Sequence, residues 1–120
     1  MKFIYEKMSK QVGIVRLDGR LDGVAPDQLK KVLADSLREN RLLVIDCSQL
    51  VFVDSRGLGA LIASLRKALA LEGDIRLADV QQKVKTFFEL VRADRIFKIF
   101  SSVEEAAESF GADLAAGAMS

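Results

Sequence analysis

An acidic and a hydroxyl side chain stand next to each other in this sequence, at Asp54 and Ser55, where an apolar stretch ends and a helical pattern begins. A second carboxylate, Asp22, follows another strand-like segment. A serine flanked by carboxylates could act as a nucleophile or receive a modifying group. A nucleophilic serine needs a base, and the 120 residues contain no histidine and no G-x-S-x-G at Ser55. We therefore predict no catalytic residue and no enzyme activity, and a serine that another enzyme modifies.

Two glycines follow the serine closely, Gly57 and Gly59, at positions where the pattern already predicts a helix. Glycine costs roughly 1 kcal/mol relative to alanine in a helix interior, so these two need a reason. Either a partner approaches this backbone closely, or the glycines relieve crowding between strand and helix. A phosphate-binding loop is disfavoured, because G-x-x-x-x-G-K-[ST] is absent and G-x-G-x-x-G would need glycine where the chain has Ile62.

The overall charge and the cysteine content exclude several classes of function. The chain has 18 basic and 17 acidic residues and a net charge of +1, so no basic footprint for nucleic acid is present. A lone Cys47 can form neither an internal disulfide nor a zinc cluster, and we expect no metal and no cofactor. No apolar run reaches the roughly 18 residues of a membrane span, and residues 1–10 are too polar for a signal peptide. We expect a cytoplasmic protein that does not insert into membranes.

The elements that must position Asp22, Asp54 and Ser55 are readable from hydrophobic spacing. Residues 3–5 and 11–21 predict a β-hairpin, and a helix follows from Pro26 to about Asn40. The nearly unbroken apolar run at 42–47 is typical of a central strand covered on both faces. The next helix is predicted to have Ser55 as its N-cap and to end at Gly73 in the left-handed conformation. Its apolar stripe comprises Leu58, Leu61, Ile62, Leu65 and Leu69.

The rest of the chain continues the alternation of strands and helices. We predict a strand at 75–80, a helix on the stripe from Val84 to Val91, and a last strand at 96–100. A capping box at Ser102 begins the final helix, and residues 111–120 are predicted to form a flexible tail. The pattern indicates one α/β domain with about four helices and a mixed, mostly parallel sheet carrying an N-terminal hairpin. Since functional groups gather at the carboxyl ends of parallel strands, Asp22 and Asp54 should flank Ser55 if their strands are neighbours.

Two short motifs carry a resemblance to a known family. The hexapeptide DSRGLG, residues 54–59, follows an apolar strand, and GRLD, residues 19–22, precedes a helix. Together, at this separation, they resemble the STAS domain and, within it, the stand-alone bacterial anti-sigma-factor antagonists. The resemblance covers roughly residues 1–110 and implies the STAS fold.

The resemblance also implies a role in partner switching and regulation of transcription. The unphosphorylated domain would bind an anti-sigma factor that is also a serine kinase and so release its client. Phosphorylation of Ser55 would end that binding, and a PP2C-type phosphatase would restore it. By position, Asp22 and Asp54 would flank the phosphoserine, and the partner interface would comprise Arg56, Gly57, Leu58, Gly59 and Ile62. We expect a monomer or weak dimer.

One residue departs from the family pattern, and two other functions stay open. Many members carry a small hydroxyl residue where this chain has Arg56, which could pair with phosphate on Ser55, pair with an acidic patch on the kinase, or be solvated. The first alternative function is an accessory subunit of a lipid or small-molecule transport system without a phosphorylation switch. The second is a sensor of a nucleotide or another small ligand at the same corner.

Overall fold

The computed structural model describes the backbone of residues 1–119 and the side chains of residues 1–111. Its strands are β1 (Lys2–Lys7), β2 (Val12–Leu21), β3 (Leu42–Val53), β4 (Asp74–Ala78) and β5 (Ile99–Phe100). Its helices are α1 (Ala25–Glu39), α2 (Ser55–Ala70), α3 (Gln82–Leu90) and α4 (Val103–Met119), with a short 3-10 helix at Ala93–Arg95. The side chains of residues 112–120 lie outside the described residues. The flexibility predicted for residues 111–120 therefore stays a prediction.

The five strands form one mixed sheet in the order β1-β2-β3-β4-β5. β1 and β2 pair antiparallel as the predicted hairpin, and all other neighbours are parallel. β3 is the central strand, as its apolar run predicted. The α/β class, the mixed sheet and the four helices are thus confirmed.

Alternate residues of the central strand supply two separate layers of core. Leu43, Ile45 and Cys47 are fully buried in the larger core with α1, α2 and α3. Val44 points to the other face, where it joins Phe110 of α4 in a smaller core. Because side chains alternate across a strand, a run that is apolar at every position must be covered on both faces.

The last predicted strand is wrong in extent. β5 is only two residues long and leaves out residues 96–98, of which Lys98 still accepts at its carbonyl from the Leu77 amide at 3.0 Å. The Phe97 amide donates to the Ala93 carbonyl at 3.1 Å, and the Phe97 side chain is buried in the core. A short run of apolar residues occurs both in strands and in turns whose side chains are buried in the core. The local pattern therefore did not distinguish a strand from a turn at 96–98.

The predicted role of Gly73 is also wrong. α2 ends at Ala70, and the left-handed residue after it is Glu72, with φ +61°. A Cβ atom at Gly73 would instead collide with the carbonyl oxygen of Arg41. Glycine is required there by close approach to the start of β3, because the Asp74 amide donates to that same carbonyl at 3.0 Å.

Within the part of the chain that the structure describes, no helix is long and apolar enough to cross a membrane. Over the same residues, no three metal-ligating side chains of the His, Cys, Asp and Glu types group together as a metal site.

Candidate functional site at the start of α2

The carboxyl ends of β2 and β3 lie side by side and bring the two predicted motifs together. The parallel register pairs Leu21 with Val53, so Asp22 and Asp54 are the next residues on adjacent strands. The Asp54 amide donates to the Leu21 carbonyl at 3.4 Å, which joins the two strand ends directly. The strands that precede Asp22 and Asp54 are therefore neighbours, as the predicted corner required.

Asp54, and not Ser55, caps α2. The Asp54 backbone is extended, and its Oδ1 accepts from the Gly57 amide at 2.7 Å. Ser55 is the first helical residue and is exposed. The prediction of Ser55 as the N-cap is therefore wrong by one residue, because aspartate and serine are both favoured caps and their order alone does not decide between them. The cap contact leaves the Ser55 hydroxyl at the surface.

Asp22 faces an arginine that the sequence analysis did not select. Arg20 Nε and Nη2 both lie 3.0 Å from Asp22 Oδ2, in an ion pair whose side chains are 58% and 35% exposed. The Arg20 guanidinium also lies 4.1 Å from the centre of the Phe52 ring. Arg20 and Phe52 are paired across β2 and β3, but only because of a register shift between these strands. The sequence pattern does not show this shift, so it could not predict the contact.

Arg56 reaches away from its own helix to the loop between β2 and α1. Its Nη1 donates to the Gly23 carbonyl at 3.2 Å. Gly23 has φ +60°, a left-handed conformation that glycine adopts without strain. The neighbouring Val24 is 74% exposed. Arg56 thus links the start of α2 to a loop that displays an apolar side chain.

The five residues of the predicted interface occupy different environments. Gly57 is buried, and a Cβ atom there would lie 2.5 Å from the Leu21 carbonyl oxygen, so this glycine relieves crowding between strand and helix. Leu58 is also buried, at 9% exposure. A Cβ atom at Gly59 would meet nothing within 4 Å. The exposed part of the set is therefore Arg56 and Gly59, with Ile62 half-buried beside them.

The corner displays the Ser55 hydroxyl at the surface. A groove of about 660 Å³ lies at the opposite end of the sheet, lined by residues such as Asn40, Leu42 and Leu71. None of Asp22, Asp54 and Ser55 lines that groove. An exposed serine at a helix start, bordered by charged side chains, suits presentation to the active site of another protein.

Comparison with known proteins identifies a matching family and several similar proteins. The family model described as the STAS domain matches residues 6–106. A Bordetella bronchiseptica protein, BtrV, named as a candidate anti-sigma factor antagonist, is 26% identical over 111 residues, which are 92% of this chain and 95% of that protein.

Two solved structures are similar over nearly the whole chain. The crystal structure of a candidate anti-sigma factor antagonist from Thermotoga maritima is 26% identical with a TM-score of 0.80, covering 89% of this chain and 92% of that one. The phosphorylated form of SpoIIAA, a Bacillus cell fate determinant, has a TM-score of 0.71 at 21% identity, covering 91% and 99%. The second likeness shows the fold alone.

Proposed function

The chain belongs to the STAS domain family, and we propose that it is an anti-sigma-factor antagonist that works by partner switching. Its unphosphorylated form binds an anti-sigma factor with serine kinase activity and releases the client of that factor. Phosphorylation of Ser55 ends the binding, and a PP2C-type phosphatase reverses it. The observation that carries the proposal is the exposed Ser55 at the first position of α2, with the capping role taken by Asp54.

Similar proteins support this function. BtrV and the Thermotoga maritima protein both carry the name of anti-sigma factor antagonist. SpoIIAA has been solved in a phosphorylated form. These names describe those proteins. The corner of Asp22, Asp54 and Ser55 in this chain supports the same role here as a proposal.

The proposed reaction changes the charge of the corner sharply. The γ-phosphoryl group of ATP passes to Oγ of Ser55, ADP leaves, and the kinase takes the hydroxyl proton. The phosphate adds about −1.5 to −2 charges beside Asp54. A helix N-terminus stabilises negative charge, so the isolated fold should survive the modification.

The added negative charge should weaken the binding of a partner that packs over this corner. Gly59 leaves the surface open, and Ile62 and Val24 offer apolar contact beside it. Closing a partner over a phosphate there would bury charge, and like-charge contacts in an interface cost several kcal/mol. Since about 1.4 kcal/mol changes affinity tenfold, phosphorylation is able to abolish binding without unfolding the domain.

The decisive experiment combines intact mass with partner binding, after incubation with ATP and an anti-sigma-factor kinase from the same organism. Wild type should gain one phosphate, Ser55→Ala none, and Ser55→Asp should bind the kinase at least tenfold more weakly. Ser101→Ala, which removes another exposed hydroxyl, is the matched control and should behave as wild type. If no phosphate appears and Ser55→Asp binds like wild type, the switch is refuted and a constitutive scaffold of a transport assembly becomes the better reading.

A further inference from the structure

Two arginines lie at the Ser55 corner, and their partners differ in charge. Arg20 is paired with the Asp22 carboxylate, so its charge is already matched. Arg56 donates to a neutral carbonyl, that of Gly23, at 3.2 Å. A hydrogen bond between a guanidinium and a phosphate is stronger and shorter than one to a neutral acceptor. A phosphate placed within reach of Arg56 would therefore compete successfully with the Gly23 carbonyl.

Arg56 is the residue next to Ser55, and its side chain is long and exposed. The guanidinium already turns toward the neighbouring strand end, since it contacts the loop that follows Leu21. The same strand end lies against Asp54 and Gly57, on either side of Ser55 and Arg56 in the chain. We expect rotation of the Arg56 side chain alone to move the guanidinium from Gly23 to a phosphate on Ser55.

We propose that Arg56 is a positioning residue of the switch: it fixes the β2–α1 loop when Ser55 is unmodified, and it leaves that loop for the phosphate when Ser55 is phosphorylated. This inference rests on the proposed function. It adds a second effect of phosphorylation besides charge, because the loop carries the exposed Val24. The modified protein then presents a partner with both a bound anion and a released apolar loop.

The test uses protein with phosphoserine installed at position 55 during translation, so it needs no kinase. Phosphorus NMR gives the second pKa of the phosphate, which is about 6 without neighbours. An opposite charge within roughly 4–6 Å lowers the pKa of an acid, and we expect the phosphate pKa in wild type to be at least about 0.5 unit lower than in Arg56→Met. Arg56→Lys, which keeps the charge, should recover part of this difference.

Other charged groups at the corner are Asp54 next to Ser55, and Arg20 and Asp22 at the end of β2. These groups are the same in wild type and in Arg56→Met, so the difference in phosphate pKa measures the effect of Arg56 alone. Arg66→Met is the matched control: it removes an exposed arginine of α2 roughly 16 Å further along the helix, beyond the Debye length of about 8 Å. Its phosphate pKa should equal that of wild type.

The release of the loop has its own readout in the backbone amide signals of Gly23 and Val24. Phosphorylation should move them in wild type toward their positions in unphosphorylated Arg56→Met, and should leave them nearly unchanged in Arg56→Met itself. Equal phosphate pKa values in wild type and Arg56→Met overturn the inference. Unmoved loop signals overturn it as well, even where the phosphate pKa depends on Arg56. Neither result bears on whether a kinase modifies Ser55, which the mass measurement decides separately.

Discussion

Three consecutive residues at the start of α2 occupy three different environments. Asp54 caps the helix through the Gly57 amide, Ser55 is exposed, and Arg56 reaches the Gly23 carbonyl. Because the cap is supplied by the carboxylate, the hydroxyl can change its chemistry without loss of the cap. This separation of roles predicts that stability and modification depend on different residues.

Replacing the cap should cost more stability than replacing the serine. Asp54→Ala removes the acceptor of the Gly57 amide and should lower the free energy of unfolding by about 1 kcal/mol. Ser55→Ala should change it by less than about 0.5 kcal/mol, as for other surface positions. Urea denaturation of both variants measures the difference. A larger loss in Ser55→Ala than in Asp54→Ala would show that the serine caps the helix after all.

The two glycines of α2 should respond oppositely to alanine. Gly57→Ala places a methyl group against the Leu21 carbonyl, and such overpacking typically costs about 1–3 kcal/mol. Gly59→Ala meets nothing within 4 Å and should stabilise the helix by up to about 1 kcal/mol. Thermal denaturation separates the pair, each being the control for the other. If Gly59→Ala also weakens binding to the proposed kinase while stabilising the fold, Gly59 belongs to the interface.

At the scale of whole elements, α4 is attached to the sheet by a buried arginine. Arg76 of β4 is only 4% exposed, donates from Nη1 to Ser109 Oγ at 2.6 Å, and lies 4.3 Å from the centre of the Phe110 ring. Its Nε is 3.2 Å from Asp74 Oδ2. The Arg76 guanidinium thus contacts residues of both β4 and α4. These contacts hold α4 in position on the sheet.

Removing the carboxylate partner should cost more than removing the buried cation. Asp74→Ala leaves the Arg76 charge buried with fewer partners, and we expect a loss of about 1–3 kcal/mol, reduced from the value for fully buried pairs because Asp74 is 26% exposed. Arg76→Met removes the charge with its desolvation cost and should be milder. Denaturation and hydrogen exchange of residues 103–111 report the result. Equal stability of Asp74→Ala and wild type would mean that the pair does not fasten α4.

At the scale of the whole molecule, the central strand places a thiol in the middle of the domain. Cys47 is fully buried, and that burial, with the nearby Asp46 carboxylate, raises the pKa of the thiol from 9.0 to about 12. A thiol that stays protonated in the folded state is a weak nucleophile. Cys47 is therefore a core residue, as its strand setting predicted, and has no part in the Ser55 corner.

The stability of the domain should fall at high pH. Because the pKa of Cys47 is raised by folding, the folded state holds its proton above pH 9 while the unfolded state loses it, and the free energy of unfolding should drop by up to about 1.4 kcal/mol per pH unit until about pH 12. The pKa of Tyr5 is raised from 10.0, by burial and then by Glu39, and adds to the loss above pH 10. Denaturation between pH 7 and 10 measures this. Cys47→Ala is the control, and a pH profile parallel to wild type would contradict the assignment.

The order of the elements and the placement of the corner were decided largely by local pattern. The apolar run at 42–47 predicted a central strand, and two-fold and helical periodicities predicted the hairpin and α1 to α4. These signals are reliable because a strand covered on both faces and an amphipathic helix each need a specific spacing of apolar residues. The same pattern placed Asp22, Asp54 and Ser55 directly after the ends of predicted strands.

Contacts between distant segments were decided only by the tertiary structure. Gly73 is needed because of Arg41, Gly57 because of Leu21, and neither neighbour is adjacent in sequence. Arg20 pairs with Phe52 through a register shift, and Arg56 reaches Gly23 across the corner. Local propensity carries no information on which backbone comes close to which side chain. The sequence by itself therefore determined most of the elements and placed the serine at the end of a strand. The tertiary structure decided which residue caps α2, which glycine is crowded and which arginine reaches the loop before α1.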